Sequence, residues 1–340
     1  MARADVLIVS LGGTAGLREA DAELTASLRR AGARVQVATT ARPPELRTFA
    51  AIELAWALNA RRAAILGIRE HDPHAVLYSS STAALLGPVP GAIRFDAPAA
   101  GNRPGRHGIW QRPVEARRLA AAPLLVPWSE GGLAEAPAPR AGAVIVPFPV
   151  DASGPPERKD IAAITYGANP EKKGLDRVLA AWARDGRAGE ELVVAGLDEA
   201  TGREWVRRAG EITAGSAGGV RFTGMIPRAE YRALLRRARV FVTAPRREDY
   251  GIAQLEALAD GCALVSTPAP GPYAALPLAR ALDLRLVTEP GGLATALRAA
   301  LDDPAPGYAE RALARLAPFR RAGVDRTVAG ELLPRLLGTS

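Results

Sequence analysis

The sequence predicts an α/β protein built from two doubly wound, Rossmann-like domains. Short apolar runs alternate with longer helical patterns, which is typical of parallel sheets covered by helices. The alternation occurs twice, and a turn-rich stretch at 151–160 separates the two series. We therefore predict an N-terminal domain at 1–150 and a second domain at 151–318. Ligands of such sheets bind at the carboxyl ends of the strands, so we expect the two domains to face a central cleft.

Each half contains six apolar runs with strand character. Those of the first half lie at 6–11, 34–39, 75–78, 92–95, 124–127 and 144–146. Those of the second half lie at 161–166, 192–195, 220–222, 240–243, 263–266 and 284–287. Helical patterns separate them, for example at 19–31, and the terminal segment 319–340 carries one more at 327–337.

Composition narrows the classes of function. The net charge of +8 and the pI near 10.2 are basic, but acidic residues are spread along most of the chain and no basic block is interleaved with aromatic residues. We therefore predict no nucleic-acid partner and leave open a peripheral contact with an anionic membrane. Cys262 is the only cysteine, which excludes an intrachain disulfide and a cysteine-rich metal site. The amino terminus lacks a secretory pattern, so we expect a cytoplasmic protein.

The segment 248–268 is the most informative part of the sequence. It follows a predicted strand and opens a helix, and main-chain N–H groups at a helix start have no intrahelical acceptor. The helix dipole also favours an anion there. The N–H groups of Tyr250, Gly251 and Ile252 are therefore predicted to bind a diphosphate.

Two carboxylates flank this helix start. Glu248 and Glu256 are eight residues apart, about 10 Å if most of the interval is helical, and a nucleotide sugar could span them. One carboxylate could accept hydrogen bonds from sugar hydroxyls and the other from ribose hydroxyls.

The segment resembles a known family. Glu248 and Glu256 match the E-x7-E motif of retaining GT-B glycosyltransferases, and 248–261 is similar to the E-x-F-G-x-x-x-x-E-A-x-A-x-G pattern of glycosyltransferase family 4 (group 1), with Tyr250 in place of Phe. The resemblance implies that Glu256 binds ribose. It also implies that the donor sugar contacts Glu248 and the residues after it, namely Asp249, Tyr250, Gly251 and Ile252.

A lysine pair forms the second candidate element. A predicted strand ends before Gly167, and the loop after it carries Lys172 and Lys173, two of the three lysines in the chain. Lysine offers a compact charge to phosphate oxygens, so we predict that Lys172 binds the donor together with Gly167. Lys173 and Gly174 match the K-G of the family, which implies that Lys173 stabilises the departing diphosphate.

The same loop departs from the family pattern. Ala168 stands where an arginine usually follows the glycine, so one phosphate-binding charge is missing. Arg246 and Arg247, just ahead of Glu248, are candidates to replace it, with a surface or salt-bridging role as the alternative.

The first half carries a glycine loop and the acceptor-side candidates. Gly12 and Gly13 end the first predicted strand and lack the G-x-G-x-x-G run of a dinucleotide site, but they fit the glycine loop of a GT-B enzyme. This resemblance implies that they bind the donor phosphates or approach the acceptor. A loop at 94–119 has Phe95 where the family commonly has histidine. The acceptor-site candidates in this loop are Asp96, Arg103, Arg106 and His107.

Together these features predict a glycosyltransferase that uses a nucleoside-diphosphate sugar as co-substrate, with no other cofactor and no metal, since the chain has no D-x-D motif. The resemblance alone implies that the anomeric configuration is retained and that the protein acts in cell-envelope glycan biosynthesis. It also implies that the last helix crosses back to the first domain. The acceptor is unknown. Three alternatives remain: an epimerase or phosphorylase on the same fold, a non-catalytic sugar-nucleotide-binding protein, and an NAD-dependent dehydrogenase.

Overall fold

The protein consists of two α/β units, each with one parallel sheet. The structure is a computed structural model that describes residues 3–44, 47–103, 105–137, 142–210 and 219–339. The first unit comprises residues up to Pro149 together with the chain from Pro318 onward, and the second unit runs from Val150 to Ala317.

The first unit contains a six-stranded sheet of order β2-β1-β3-β4-β5-β6, and every neighbouring pair is parallel. The strands are β1 Val6–Ser10, β2 Val35–Thr39, β3 Ala75–Tyr78, β4 Ala92–Phe95, β5 Leu124–Pro127 and β6 Gly142–Ala143. The helices are α1 Ala15–Arg30, α2 Phe49–His71, α3 Ser81–Ala84, α4 Ala99–Asn102, α5 Gln111–Ala121 and α6 Glu130–Glu135, with a 3₁₀ turn at Gly105–Gly108.

The local sequence accounts for where these helices begin. Thr14, Thr48, Ser80 and Ser129 each precede a helix, and each side-chain oxygen accepts a hydrogen bond from an N–H group of the first turn. Strands β1 and β5 are buried runs rich in Val, Ile and Leu, as expected where helices cover both faces.

The last helices belong to the first unit. Helix α14 spans Arg321–Thr327 and continues through a π-helical turn, Val328–Leu332, into α15, Leu333–Leu337. Asp325 accepts hydrogen bonds from Ser27 at 2.5 Å and from Arg30 at 2.7 Å on α1. Val328 and Leu332 lie in the same hydrophobic cluster as β1. The C-terminal segment therefore completes the core around the N-terminal strand.

The second unit contains a five-stranded parallel sheet of order β11-β10-β7-β8-β9. The strands are β7 Ile161–Tyr166, β8 Glu191–Ala195, β9 Gly219–Phe222, β10 Ala238–Thr243 and β11 Ala263–Ser266. The helices are α7 Leu175–Asp185, α8 Glu199–Gly210, α9 Arg228–Arg237, α10 Ile252–Ala259, α11 Ala275–Leu282, α12 Leu293–Asp302 and α13 Tyr308–Arg315. Short 3₁₀ turns lie at Leu284–Leu286 and Pro290–Gly292, and a third, Ala317–Phe319, lies where the second unit ends.

Three sequence-based expectations about local structure were wrong. The predicted strand at 284–287 is a 3₁₀ turn, and only Val287 forms a bridge, to Ser266, because Asp283 caps the turn through the N–H of Arg285. The predicted strand at 144–146 follows β6, although the N–H groups of Val144 and Val146 still donate to the carbonyls of β5. The predicted loop at 94–119 is largely helical, because it contains α4, the 3₁₀ turn and most of α5.

No helix among the described residues is long and apolar enough to cross a bilayer.

Candidate functional site

The loops that follow β7 and β10 meet at one end of the second sheet. These two strands are neighbours and parallel, so their carboxyl ends lie at the same edge. The N–H of Arg246 donates to the carbonyl of Lys172 at 2.9 Å, and the Lys172 Nζ donates to Asp249 Oδ2 at 2.6 Å. The structure thus brings together the lysine loop and the start of the segment 248–268.

Lys173 and Glu248 form the centre of this site. The Lys173 Nζ lies 2.6 Å from Glu248 Oε2, and the Gln254 Nε2 donates to the same oxygen at 2.9 Å. Glu248 is only 5% exposed and Gln254 is buried. An ammonium and an amide therefore hold one carboxylate oxygen in place at low exposure to water, where charge-assisted hydrogen bonds are strong.

The backbone of Glu248 is fixed as well. Its N–H donates to the carbonyl of Pro270 at 3.0 Å, and its carbonyl accepts from the N–H of Tyr273 at 3.3 Å. Gly271 has φ of +107°, and a Cβ there would lie 2.3 Å from the Glu248 carbonyl oxygen. Only glycine fits at this approach, so the loop at 270–273 sets the position of the carboxylate.

Helix α10 begins directly after this carboxylate. Gly251 precedes it with φ of +93°, and no side chain caps the helix. Among the described residues, the N–H groups of Gly251 and Ile252 have no hydrogen-bond acceptor. A Cβ on Gly251 would lie 3.2 Å from the Tyr273 ring. The N–H groups of Gly251 and Ile252 are therefore available as hydrogen-bond donors at this helix start.

Glu256 lies on α10 and pairs with two arginines of α9. Arg228 Nη2 is 2.5 Å and Arg232 Nη1 is 3.5 Å from Glu256 Oε1. Arg232 Nε also lies 2.6 Å from Oδ2 of Asp260, the residue that follows α10. Helix α10 begins at Ile252, after the left-handed Gly251, so five of the nine residues from Glu248 to Glu256 are helical.

An aromatic pair borders Glu256. Tyr231 of α9 and Tyr166 at the end of β7 have ring centroids 5.7 Å apart. Burial raises the pKa of Tyr231 well above its usual value, and the charge of Glu256 adds to the shift. Within the part of the chain that the structure describes, the Tyr231 hydroxyl has no hydrogen-bond partner. Burial and the charge of Glu256 also raise the pKa of Tyr166, so both phenols stay neutral beside the carboxylate.

Lys172 and Asp249, both predicted to contact the donor, contact each other. Arg247 Nε adds a second bond to the Asp249 carboxylate at 2.7 Å. Burial alone would raise the pKa of Asp249, but the hydrogen bond and charge of Lys172, with the charge of Arg247, outweigh it and lower the pKa. Asp249 is therefore ionised, and Lys172 and Arg247 both bind its carboxylate.

Gly167 and Ala168 occupy the position where the family pattern places a glycine and an arginine. The N–H of Gly167 donates to the carbonyl of Ala195 at 2.8 Å, which continues the ladder past β7. Arg246 forms two bonds of 2.8 Å to the two carboxylate oxygens of Asp176. This pairing favours the salt-bridging alternative for Arg246.

Gly174 positions Lys173. It has φ of +63° at the start of α7, and a Cβ there would lie 1.9 Å from the carbonyl oxygen of Ala244. The N–H of Lys173 donates to the carbonyl of Asn169 at 2.8 Å, so the lysine backbone turns tightly before the glycine. The loop and β10 pack too closely for any side chain at this residue.

Replacing Gly174 with alanine should therefore lower the free energy of unfolding by about 3 kcal/mol or more, through strain at positive φ and displacement of Ala244. Gly189→Ala is the matched control, because Gly189 has φ of +84° and a Cβ there would meet nothing within 4 Å, so it tests φ alone. We expect it to cost about 1 kcal/mol. Urea unfolding of both variants measures the difference, and equal losses would contradict the close approach.

The predicted glycine loop lies in the first unit. Gly12 has φ of +60° and its carbonyl accepts from Arg18 Nη1 at 3.0 Å. A Cβ on Gly13 would lie 3.5 Å from the Trp56 ring. Both glycines follow β1 and precede α1, so they lie at the carboxyl edge of the first sheet, as expected.

The four acceptor-side candidates are also in the first unit and have different surroundings. Asp96 Oδ1 accepts from the N–H of Ala97 at 2.7 Å. Arg103 Nη2 lies 3.1 Å from Glu53 Oε1. Arg106 is exposed in the 3₁₀ turn, and the side chain of His107 lies outside the described part of the structure.

Four residues of the site were missed from sequence: Gln254, Arg228, Arg232 and Asp260. The sequence does contain a spacing signal for three of these residues. Arg228 and Arg232 are four residues apart on α9, and Glu256 on α10 is four residues before Asp260 at the end of that helix. Residues with this spacing share a helix face, so two such pairs of opposite charge predict adjacent helices.

Comparison with known proteins gives a family match for the second unit. Residues 160–303 match the family model described as glycosyl transferases group 1. This segment contains Lys173, Glu248 and Glu256. A sequence comparison with curated proteins finds no significant match.

Solved structures match the whole chain. The sucrose-phosphate synthase of Thermosynechococcus elongatus is 16% identical, with a TM-score of 0.73, and the match covers 99% of this chain and 100% of that one. WaaG, a glycosyltransferase involved in lipopolysaccharide biosynthesis, is 15% identical, with a TM-score of 0.69 and coverage of 98% and 99%. HepE of Anabaena, solved with UDP and glucose, is 14% identical, with a TM-score of 0.69 and coverage of 97% and 99%. The chain therefore has the GT-B fold, which confirms the predicted fold class.

Proposed function

We propose that this chain is a glycosyltransferase that moves a sugar from a nucleoside-diphosphate sugar to an acceptor. The observation that carries the proposal is the buried carboxylate of Glu248, held by Lys173 and Gln254 directly before the uncapped start of α10. Lys173 supplies a cation for a diphosphate, and the start of α10 supplies main-chain donors for it. Glu248 beside them supplies an acceptor for sugar hydroxyls. The family match over the same residues supports this assignment.

Each group has a role in the proposed reaction. Cleavage of the anomeric bond places negative charge on the leaving diphosphate, so catalysis depends on donors aimed at that charge. Lys173 and the N–H groups of Gly251 and Ile252 are those donors. Glu248 orients the donor sugar through its hydroxyls, and Glu256 accepts from the ribose.

We further propose that the enzyme retains the anomeric configuration, as its E-x7-E spacing resembles that of family 4. It is proposed to need no metal and no cofactor besides the donor, since Lys173 and the start of α10 supply the positive potential that a diphosphate requires. The acceptor side is proposed to include the segment after β4, and Gly12 and Gly13 are proposed to approach the donor phosphates or the acceptor.

A cell-envelope glycan or its lipid-linked precursor is the acceptor class that we propose, with the protein in the cytoplasm and in peripheral contact with an anionic membrane. Support comes from the basic composition and from the structural likeness to WaaG, whose role is in lipopolysaccharide biosynthesis. A nucleotide-sugar donor is supported by the likeness to HepE, solved with UDP and glucose.

Calorimetric titration with UDP-, GDP- and ADP-sugars tests the donor site. We expect one donor to bind selectively, and Glu256→Gln to weaken its binding by about tenfold or more, because a carboxylate accepts hydrogen bonds more strongly than an amide. Glu230→Gln on the exposed side of α9 is the matched control and should bind like the wild type. Equal affinity in both variants would remove Glu256 from the site, and no binding across the panel would contradict the proposed function.

A second candidate is a protein that binds the donor without transferring the sugar. The specific observation is Ala168 in place of the usual arginine, with Arg246 committed to Asp176. Donor binding with no release of nucleoside diphosphate in the presence of extracted cell-envelope glycans and lipids would favour this candidate. Release of the diphosphate would exclude it.

A further inference from the structure

Helix α2 packs its small side chains against the sheet. Apart from Glu53, its buried residues are Ala57, Ala60, Ala64 and Gly67. A Cβ on Gly67 would lie 3.1 Å from the side chains of Leu7 and Ala38, so the helix backbone lies close to β1 and β2. At Gly67 the inner face of α2 therefore leaves little room for a larger side chain.

The leucines of α2 point the other way. Leu54 is 42% exposed, Leu58 is 50% exposed and Leu66 is 54% exposed. A helix on a globular domain normally buries its large apolar side chains and exposes its polar ones. In α2, Trp56 and Ile68 pack partly buried against the core of the first unit, whereas the three leucines lie outside it.

Basic side chains share this surface. Residues 54, 58, 62 and 66 repeat every four positions and therefore follow one side of the helix. We call the exposed residues on this side the outer face of α2: Leu54, Leu58, Arg61, Arg62, Leu66 and Arg69. Among the described residues, none of its three arginines has an ion-pair partner, and Arg61 donates to the carbonyl of Leu86. Of the two acidic residues of α2, Glu53 is buried and Glu70 lies in the last turn.

We propose that the outer face of α2 is a docking surface for an anionic lipid bilayer. Leucines beside unpaired arginines on an in-plane helix can insert apolar groups below the lipid headgroups while the guanidinium groups bind phosphate. A second copy of the chain fits less well, because a symmetric contact through this face would bring identical arginines together. The inference deepens the membrane contact proposed above, and it does not depend on the sugar-transfer step.

Two multiple variants test this surface. In one, Leu54, Leu58 and Leu66 are replaced by glutamine, and in the other Arg61, Arg62 and Arg69 are replaced by glutamine. The leucine control is Leu284→Gln, at an exposed residue of the second unit. The charge control removes three exposed arginines elsewhere in the chain: Arg207, Arg315 and Arg326.

Sedimentation with vesicles measures the partitioning of the full chain. We expect the wild type to bind phosphatidylglycerol vesicles and to leave phosphatidylcholine vesicles unbound. The leucine variant should bind at least about tenfold more weakly, from loss of buried apolar groups. The arginine variant should bind about a hundredfold more weakly, at roughly fivefold for each charge. The leucine control should bind like the wild type.

Three results would overturn the proposal. The first is a wild type that does not bind phosphatidylglycerol vesicles, and the second is an equal loss of vesicle binding in the charge control and the arginine variant. The third is a wild-type dimer in sedimentation velocity that the leucine variant abolishes, because that result would assign the face to a second copy of the chain. Circular dichroism of each variant confirms folding. Calorimetry with the donor separates this test from the proposed function, because every variant should bind the sugar nucleotide like the wild type.

Discussion

Replacing Lys173 with methionine is expected to lower kcat by about 1,000-fold while changing KM little. Removal of one preorganised donor that faces developing charge typically costs about 10²-fold to 10³-fold. Lys173 is the cation nearest to Glu248, at 2.6 Å, and its loop is held by Gly174 against Ala244. Methionine keeps much of the side-chain length and removes the charge. Initial rates of nucleoside-diphosphate release, with the donor identified by calorimetry, measure both constants.

Lys172→Met is the matched control for that experiment. Lys172 is the adjacent residue and carries the same charge, but its partner Asp249 has a second cation in Arg247. We expect the Lys172 variant to lose less than about tenfold in kcat, because this ion pair is more exposed and shares its carboxylate. Equal losses in the two variants would mean that the positive potential of the loop acts as a whole. An unchanged kcat in the Lys173 variant would remove this lysine from catalysis.

The sequence predicted the fold well where buried strands alternate with helices. The runs at 161–166 and 263–266 coincide with β7 and β11, because continuous apolar runs are the signature of strands covered on both faces. The run at 284–287 has the same character but forms a 3₁₀ turn. Asp283 is the competing local signal there, since its carboxylate caps the N–H of Arg285.

The candidate site was predictable only where its residues are neighbours in sequence. Glu248 and the start of α10 fall within one short segment, so strand, loop and helix signals locate them together. The bond between Lys173 and Glu248 spans 75 residues and forms because β7 and β10 are adjacent in the sheet. Strand order is a tertiary property that a pattern of apolar residues does not specify, and the partners of each carboxylate could not be assigned without it.

Arg232→Ala is expected to lower the free energy of unfolding by about 3–5 kcal/mol, as is typical when one partner of a buried ion pair is removed. Arg232 is 6% exposed and joins three parts of the second unit. Its guanidinium bonds Asp260 at 2.6 Å, contacts Glu256 at 3.5 Å and donates to the carbonyl of Asp151 at 2.8 Å. Without it, the Asp260 carboxylate stays buried with only Ser153 as a hydrogen-bond donor among the described residues.

Arg237→Ala on the same helix separates burial from charge. Arg237 also pairs with an aspartate, Asp160 at 2.7 Å, but both side chains are exposed to water, so little change in stability is expected. The free energies of unfolding of the two variants, measured in urea, should therefore differ by most of the loss expected for Arg232→Ala. Comparable values would mean that the buried network is no stronger than a surface pair. Arg232 also contacts Glu256, so Arg232→Ala should bind the donor more weakly than Arg237→Ala does. If Arg232→Ala loses the expected stability but keeps its donor affinity, Arg228 alone positions the Glu256 carboxylate.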